Sequence, residues 1–145
     1  MAVEEDILDA GVAVVTALGL SGATVVKRKL PARAEGDTLP LVCVACWEDR
    51  YEPATADADA AWFGYYRLAA TVLTSSGMKL ADGSTDRDWR EDIRRAVTGP
   101  SLVAAGADLV DDCDPDGRPP FDPAMLDRNY NFSTAAFVVR TLEPR

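Results

Sequence analysis

The run Leu39-Pro-Leu-Val-Cys-Val-Ala-Cys-Trp47 is apolar throughout and contains β-branched valines. Its length is that of a strand, and a short run that is apolar at every position is typical of a strand buried on both faces. Because proline cannot donate a hydrogen bond to a neighbouring strand, we place the start of this strand just after Pro40. The sequence therefore predicts an interior strand here, with Glu48-Asp49-Arg50 turning the chain out of the sheet.

Two further segments read as strands, one on each side of this run. Residues 23–30 are β-rich and stop at Pro31, and Tyr130 to Leu142 forms a closing apolar segment. The acidic and then proline-rich residues 110–120 lie between, and we expect them to be irregular.

The aromatic segment from Ala60 to Ser75 is compatible with either a strand or a helix. Its aromatic and β-branched residues favour a long strand, and Gly64 within it suggests a bulge or a bend. A helix is also compatible, because Trp62, Tyr65, Tyr66 and Ala69 recur at helical spacing.

Two helices are predicted from apolar periodicity. Residues 3–18 carry a stripe with three- and four-residue spacing, an acidic first turn, and Gly19 in position to end the helix. A second helix is capped by Ser84 or Thr85 and ends at Gly99-Pro100. Residues 101–104 fit a short third helix or a loop.

The second helix is predicted to be amphipathic. Its apolar face carries Trp89, Ile93 and Val97, and its opposite face offers Asp86–Arg90 and Glu91–Arg95 pairs at i, i+4.

Together these elements predict one α+β domain over residues 1–145: a mainly antiparallel sheet of about four strands packed against two helices. The side chains expected to be largely buried are those of Ile7, Val12, Val15, Val42, Val44, Val72, Trp89, Ile93 and Val138.

Composition excludes several function classes. The chain has 145 residues, a formal charge of −9 and no histidine. A polyanion must be met by a basic face, so sequence-specific nucleic-acid binding is not expected. The lack of histidine removes the commonest general base and every Ser-His or Cys-His nucleophile pair. No catalytic residue and no cofactor site is predicted.

The pair Cys43 and Cys46 has C-x-x-C spacing, which occurs in redox pairs and in metal half-sites. Within a strand, residues three apart point to opposite faces, and no second pair or histidine completes a zinc site. We therefore interpret the two thiols as packing residues. Together with Cys113 they make an odd count, which favours a reduced environment.

The segment Asp112-Cys-Asp-Pro-Asp-Gly117 matches the opening of a calcium-binding loop, with Asp112, Asp114 and Asp116 as weak candidate ligands. The twelfth position is Pro123, where a bidentate glutamate is required. A solvated turn is the alternative that we favour.

The run Lys27-Arg28-Lys29, with Arg33 nearby, is the only basic cluster before the second helix, and Lys27, Lys29 and Arg33 are its candidate residues for self-association. In an acidic protein this strip could bind a phosphate or an acidic face of another copy, with Asp57 and Asp59 as candidate contacts. The alternative is a strand edge protected by lysine. Trp62, Tyr65 and Tyr66 fit a pocket or an ordinary half-buried sheet.

Four segments resemble the tail-terminator and tail-completion proteins of tailed bacteriophages. They are the opening Ile7-Leu8-x-x-Gly11-Val12-x-x-Val15, the Leu39–Val44 strand entry, the Trp89–Val97 helix and the stretch from Phe121 to Arg145. The resemblance implies a small α+β protein that opens with a helix, followed by a sheet and a further helix. It also implies a structural protein without enzymatic activity that forms a ring, typically hexameric, which caps the tail tube or joins it to the head.

The partners implied by this resemblance are copies of the chain, tail-tube proteins and head-completion proteins. The corresponding location is the virion or the bacterial cytoplasm. No apolar run approaches the length of a membrane span, and the acidic Glu4-Glu5-Asp6 replaces the basic start of a secretory signal, so we expect neither insertion nor secretion. The alternative function is a small ligand-binding or enzymatic α+β domain of unknown substrate.

Overall fold

The computed structural model describes residues 2–28, 38–54, 61–75, 80, 83–117 and 130–144. The elements in chain order are α1 (Val3–Ala17), β1 (Thr24–Lys27), β2 (Leu41–Pro53), β3 (Ala61–Ser75), α2 (Asp86–Ala96), α3 (Gly99–Ala104), β4 (Val110–Pro115) and β5 (Tyr130–Pro144). These strands form one sheet in the order β1-β2-β3-β5-β4. Only β1 and β2 run parallel, and the other pairs are antiparallel. The predicted α+β fold is confirmed, with five strands and three helices in the described residues where about four and two were expected.

Helix α1 matches the helix predicted for residues 3–18. Its buried residues follow the predicted stripe, with Ile7 and Val15 almost fully enclosed, while Val12 is only partly buried. Three carboxylates lie in the first turn, where their negative charge interacts favourably with the positive end of the helix dipole. Gly19 adopts a φ of 63°, the left-handed conformation that glycine allows after a helix.

Strand β2 begins at Leu41, as predicted, but it does not end at Trp47. The prediction that residues 48–50 turn the chain out of the sheet is wrong, because β2 continues to Pro53 beside β3. A register shift between Glu48 and Arg50 marks a bulge there. Such a bulge adds one residue to a strand, so the faces exchange beyond it. Polar residues that resemble a turn in sequence are in this case the bulge and the exposed end of a long strand.

Strand β3 confirms the strand interpretation of the aromatic segment. Gly64 does not form the expected bulge, because it pairs in regular register with Tyr51 on β2 and Thr141 on β5. A Cβ atom built at Gly64 would lie 2.6 Å from the Thr141 hydroxyl and would collide with the Glu143 carboxylate. Glycine is therefore required here by a close approach of neighbouring side chains.

Helices α2 and α3 each begin with a capping box. The Thr85 hydroxyl accepts from the Asp88 N–H, and the Asp88 carboxylate accepts from the Thr85 N–H. Thr98 and Ser101 repeat this arrangement at α3. Gly99-Pro100 therefore begins α3 rather than ending α2, which stops at Ala96, because proline is well tolerated in a first turn.

The side-chain pairs predicted on α2 are wrong. Glu91 pairs with Arg94 at 2.7 Å and with Arg90 at 3.4 Å, not with Arg95. Asp86 instead accepts a hydrogen bond of 2.8 Å from Ser133 on β5, which ties the start of α2 to the sheet.

Two expectations about the last strands also need correction. Residues 110–115 form β4 and are not irregular, because they pair with β5 from Thr141 to Phe137. On β5 the buried positions include Phe137 and Val139, whereas Val138 lies on the opposite face and is only partly buried. Residues 110–115 become a strand because β5 pairs with them, and the face that Val138 occupies depends on which alternate residues of β5 point to the core. Neither property can be read from the segment alone.

The main core lies between one face of the sheet and the three helices. It contains Trp89 and Ile93 from α2, Leu102 from α3, and inward residues of β2, β3 and β5. A smaller cluster of Leu41, Cys43 and Leu73 packs on the opposite face. Of the side chains expected to be buried, Ile7, Val15, Val42, Val44, Val72, Trp89 and Ile93 are buried.

Candidate functional site

An acidic recess of about 350 Å³ opens on the helix side of the sheet, where the start of α1 meets the ends of β2, β3 and β5. Its lining residues are Ala2, Val3, Glu4, Glu5, Glu48, Tyr51, Tyr66 and Glu143. Four of these eight side chains carry a carboxylate and two carry a phenol. We call this site the acidic recess.

The bulge in β2 builds the floor of the recess. Because the bulge exchanges the faces, Tyr51 comes to the same side of the sheet as Tyr66, and the two rings meet edge to face with centroids 6.2 Å apart. Their hydroxyl oxygens lie 2.5 Å apart. Tyr66 donates to Glu143 at 3.2 Å, so the Tyr51 hydroxyl is the donor to Tyr66. Glu143 also accepts from Thr141 at 2.6 Å.

Burial keeps both phenols protonated. Burial is the largest cause that raises the pKa of Tyr66, followed by its hydrogen bond to Tyr51. Burial also raises the pKa of Tyr51. At neutral pH the two phenols therefore act as hydrogen-bonding groups, not as bases.

Among the described residues, only some carboxylates of the recess are paired with a positive charge. Lys27 on β1 binds Glu5 at 2.7 Å and Asp9 at 3.0 Å, and these hydrogen bonds raise the lysine pKa. Glu4 accepts from the backbone N–H of Glu48 at 3.1 Å. In the part of the chain that the structure describes, Glu4, Glu48 and Glu143 form no ion pair. The recess is therefore suited to a cationic group.

A second surface lies on the opposite face of the same strands. It consists of Trp47, Arg50, Phe63, Tyr65 and Leu142, and we call it the outer aromatic surface. The Arg50 guanidinium lies 4.2 Å from the centroid of the Tyr65 ring, and Leu142 is 44% exposed. Arg140 stacks on Phe63 at 4.7 Å, and Arg67 lies 5.3 Å from the Trp47 ring.

The three candidate calcium ligands do not converge. Asp112 and Asp114 lie in β4 with exposed side chains, so the solvated-turn interpretation is also wrong for them. The Asp116 carboxylate is only 4% exposed and binds Arg67 at 2.7 Å. Among the residues that the structure describes, no group of three or more His, Cys, Asp or Glu side chains could hold a metal ion.

The cysteines lie in packed surroundings. Cys46 belongs to the main core and Cys43 to the small cluster on the other face, so the two thiols point apart as expected for a strand. All three cysteines are described, and none forms a disulfide. Burial raises the pKa of Cys113 to about 12 and raises that of Cys46. Such thiols are protonated at neutral pH and are poor nucleophiles.

The self-association residues predicted from the sequence are only partly described. Lys27 is described and is bound to α1 within its own chain. Lys29, Arg33, Asp57 and Asp59 lie outside the described residues. Their part in association stays a prediction.

A second cavity of about 380 Å³ lies between α1, the turn after α3 and the end of β5. Val3, Ile7 and Leu109 give it a more apolar lining than that of the acidic recess.

The acidic recess and the outer aromatic surface were not recognised from the sequence. The aromatic spacing marks Tyr65 and Tyr66, but it is the bulge in β2 that brings Arg50 to the face of Tyr65 and Tyr51 to the face of Tyr66. Sequence spacing alone gives no sign that Glu4, Glu48 and Glu143 meet, because they come from three elements.

No family model matches the chain, and no curated protein matches it. In the described residues, no helix has the length and apolar character needed to cross a bilayer.

Proposed function

We propose that this chain is a non-enzymatic assembly protein of a phage or prophage virion, which caps the tail tube or joins the tail to the head by forming a ring. The observation that carries the proposal is the order of elements: an opening helix, three adjacent strands, two further helices and two closing strands. This order supports the resemblance to tail-terminator and tail-completion proteins. The partners would be copies of the chain, tail-tube proteins and head-completion proteins.

The two surfaces described above also support a ring. A closed ring needs a head-to-tail interface, in which two different patches of one subunit meet those of its neighbours. The acidic recess and the outer aromatic surface differ in chemistry and lie on opposite faces of one sheet. Each copy can therefore contact two neighbours at once.

The test is the oligomeric state of the purified full chain. We expect sedimentation velocity to show a monomer or weak oligomer in dilute solution, and rings of about six times the 15.6 kDa chain mass at high concentration or with tail tubes present. Negative-stain images should then show closed rings. A chain that stays monomeric at every concentration and salt, and that does not bind tail tubes, would contradict the proposal.

The acidic recess favours a second candidate, a domain that binds a small ligand. Its carboxylates and phenol oxygens would accept hydrogen bonds from an organic amine. Spermidine is a suitable probe. A saturable rise in melting temperature that Glu143→Gln abolishes, in a protein that remains monomeric, would favour this candidate over the ring.

A further inference from the structure

We propose that the outer aromatic surface of one copy packs against the acidic recess of the next copy, with the Arg50 guanidinium entering the recess. This inference rests on the ring-forming function proposed above. It assigns the two patches that the ring interface would join.

The outer aromatic surface has the composition of an interface. Tyrosine, tryptophan and arginine are the residues that most often dominate binding energy, and here the half-buried Trp47 and Tyr65 share a sheet face with the exposed Arg50. No helix among the described residues packs on Arg50, Phe63 or Tyr65, because α1, α2 and α3 all contribute to the core on the other side. The face therefore presents aromatic area that a partner can cover.

Arg50 is the cation on this surface that remains available. Arg140 is bound to Asp111 at 2.9 Å, and Arg67 is bound to Asp116. The Arg50 side chain is exposed and stacked on Tyr65, and no described carboxylate forms an ion pair with it. The neighbouring Glu52 instead accepts from the Tyr65 hydroxyl at 2.7 Å.

The acidic recess supplies the matching anions. Glu4, Glu48 and Glu143 surround it without a described cation, and the Tyr51 ring, which is 43% exposed, lies at its rim. A guanidinium entering this space would meet carboxylates and an aromatic ring, which are the contacts that arginine favours.

The occupant is a second copy because both patches belong to this chain. They lie on opposite faces of β2 and β3, so one copy cannot join its own two patches. Two copies related by a rotation can, and each then leaves one patch free for the next copy. Lys27 is not needed for this contact, since Glu5 and Asp9 already hold it.

Charge reversal with complementation tests the interface. Arg50→Glu should weaken association of the full chain at least about tenfold in sedimentation velocity, and Glu48→Arg should do the same. Glu48 is suitable because its side chain is exposed. When the two variants are mixed in equal amounts, each defective patch faces its complement, so association should return to within a few fold of the wild type.

Controls separate this interface from net charge and from folding. Arg87→Glu changes the charge as Arg50→Glu does, but at an exposed site on α2, and it should weaken association far less than Arg50→Glu does. Circular dichroism should show that each variant is folded. If Arg50→Glu or Glu48→Arg unfolds, Arg50→Gln and Glu48→Gln replace them, and each should still weaken association.

The outcomes distinguish this inference from the proposed function. If the wild type assembles and Arg50→Glu assembles equally well, the assigned interface is wrong and the ring function stands. If both variants fail to assemble and mixing does not restore assembly, the two residues do not face each other and the inference is overturned. A wild type that is monomeric under every condition overturns both.

Discussion

At the scale of single residues, Trp89 is the largest side chain that the core encloses completely. It lies on the inner face of α2, where the indole joins the helix to the sheet. Trp89→Ala should lower the free energy of unfolding by about 3–5 kcal/mol, because it removes a large buried group and leaves a cavity. Urea denaturation measures the change. Trp47→Ala removes the same atoms from a partly exposed position and should cost clearly less; equal losses would show that Trp89 is not enclosed.

Gly64 depends on a different property, the absence of a side chain. The Cβ of Gly64→Ala would meet the Thr141 hydroxyl, the Glu143 carboxylate and, at 2.9 Å, the Tyr66 ring. Overpacking of this kind costs about 1–3 kcal/mol, and the melting temperature should fall accordingly. Gly117→Ala is the control, because a Cβ there meets nothing within 4 Å. Its effect should stay within about 0.5 kcal/mol. Equal effects at the two glycines would contradict the close packing described at Gly64.

At the scale of elements, the helices and the central strands could be predicted because their signals are local. Thr85, the acidic first turn and the apolar spacing mark α2 within a few residues of sequence. The end of β2 could not be predicted, since its polar residues 48–53 become strand only by pairing with β3. Strand β4 could not be predicted either. Asp112 and Asp114 have low strand propensity, and they become strand only by pairing with β5.

The candidate site was harder to predict than the fold. The bulge at residues 48–50 exchanges the faces of β2, and this decides that Tyr51 joins the recess while Arg50 joins the outer surface. Sequence periodicity extended through that point predicts the reverse. The one extra residue of a bulge leaves no recognisable pattern in the sequence, so the side chains that it brings together cannot be found from local spacing.

The ion pair between Arg67 and Asp116 joins β3 to the residues that follow β4. The side chains are 12% and 4% exposed, so the pair is shielded from water. Asp116→Ala would leave the guanidinium largely buried without this partner, and we expect a loss of about 3–5 kcal/mol in urea denaturation. Asp114→Ala removes an exposed carboxylate two residues away and should change stability little. A loss at position 116 no larger than at position 114 would show that the pair does not hold this edge of the sheet.

At the scale of the whole molecule, the sheet separates two kinds of chemistry. One face is covered by helices and carries carboxylates at its rim, and the other presents stacked arginine and aromatic side chains. The formal charge of −9 acts on both faces together, since copies that approach one another repel over long distances. Assembly must therefore overcome a long-range repulsion before the short-range contacts form.

This balance predicts how salt affects association. The Debye length falls from about 30 Å at 10 mM salt to about 8 Å at 150 mM, so repulsion between whole copies is screened while buried contacts are screened much less. At a fixed protein concentration, the weight-average sedimentation coefficient should therefore rise between these two salt concentrations. Two exposed positions on α2 provide controls: Arg87→Gln makes the chain more acidic and should raise the salt needed, and Asp92→Asn should lower it. A sedimentation coefficient that falls steadily with salt would show that local attraction outweighs the net charge at every distance.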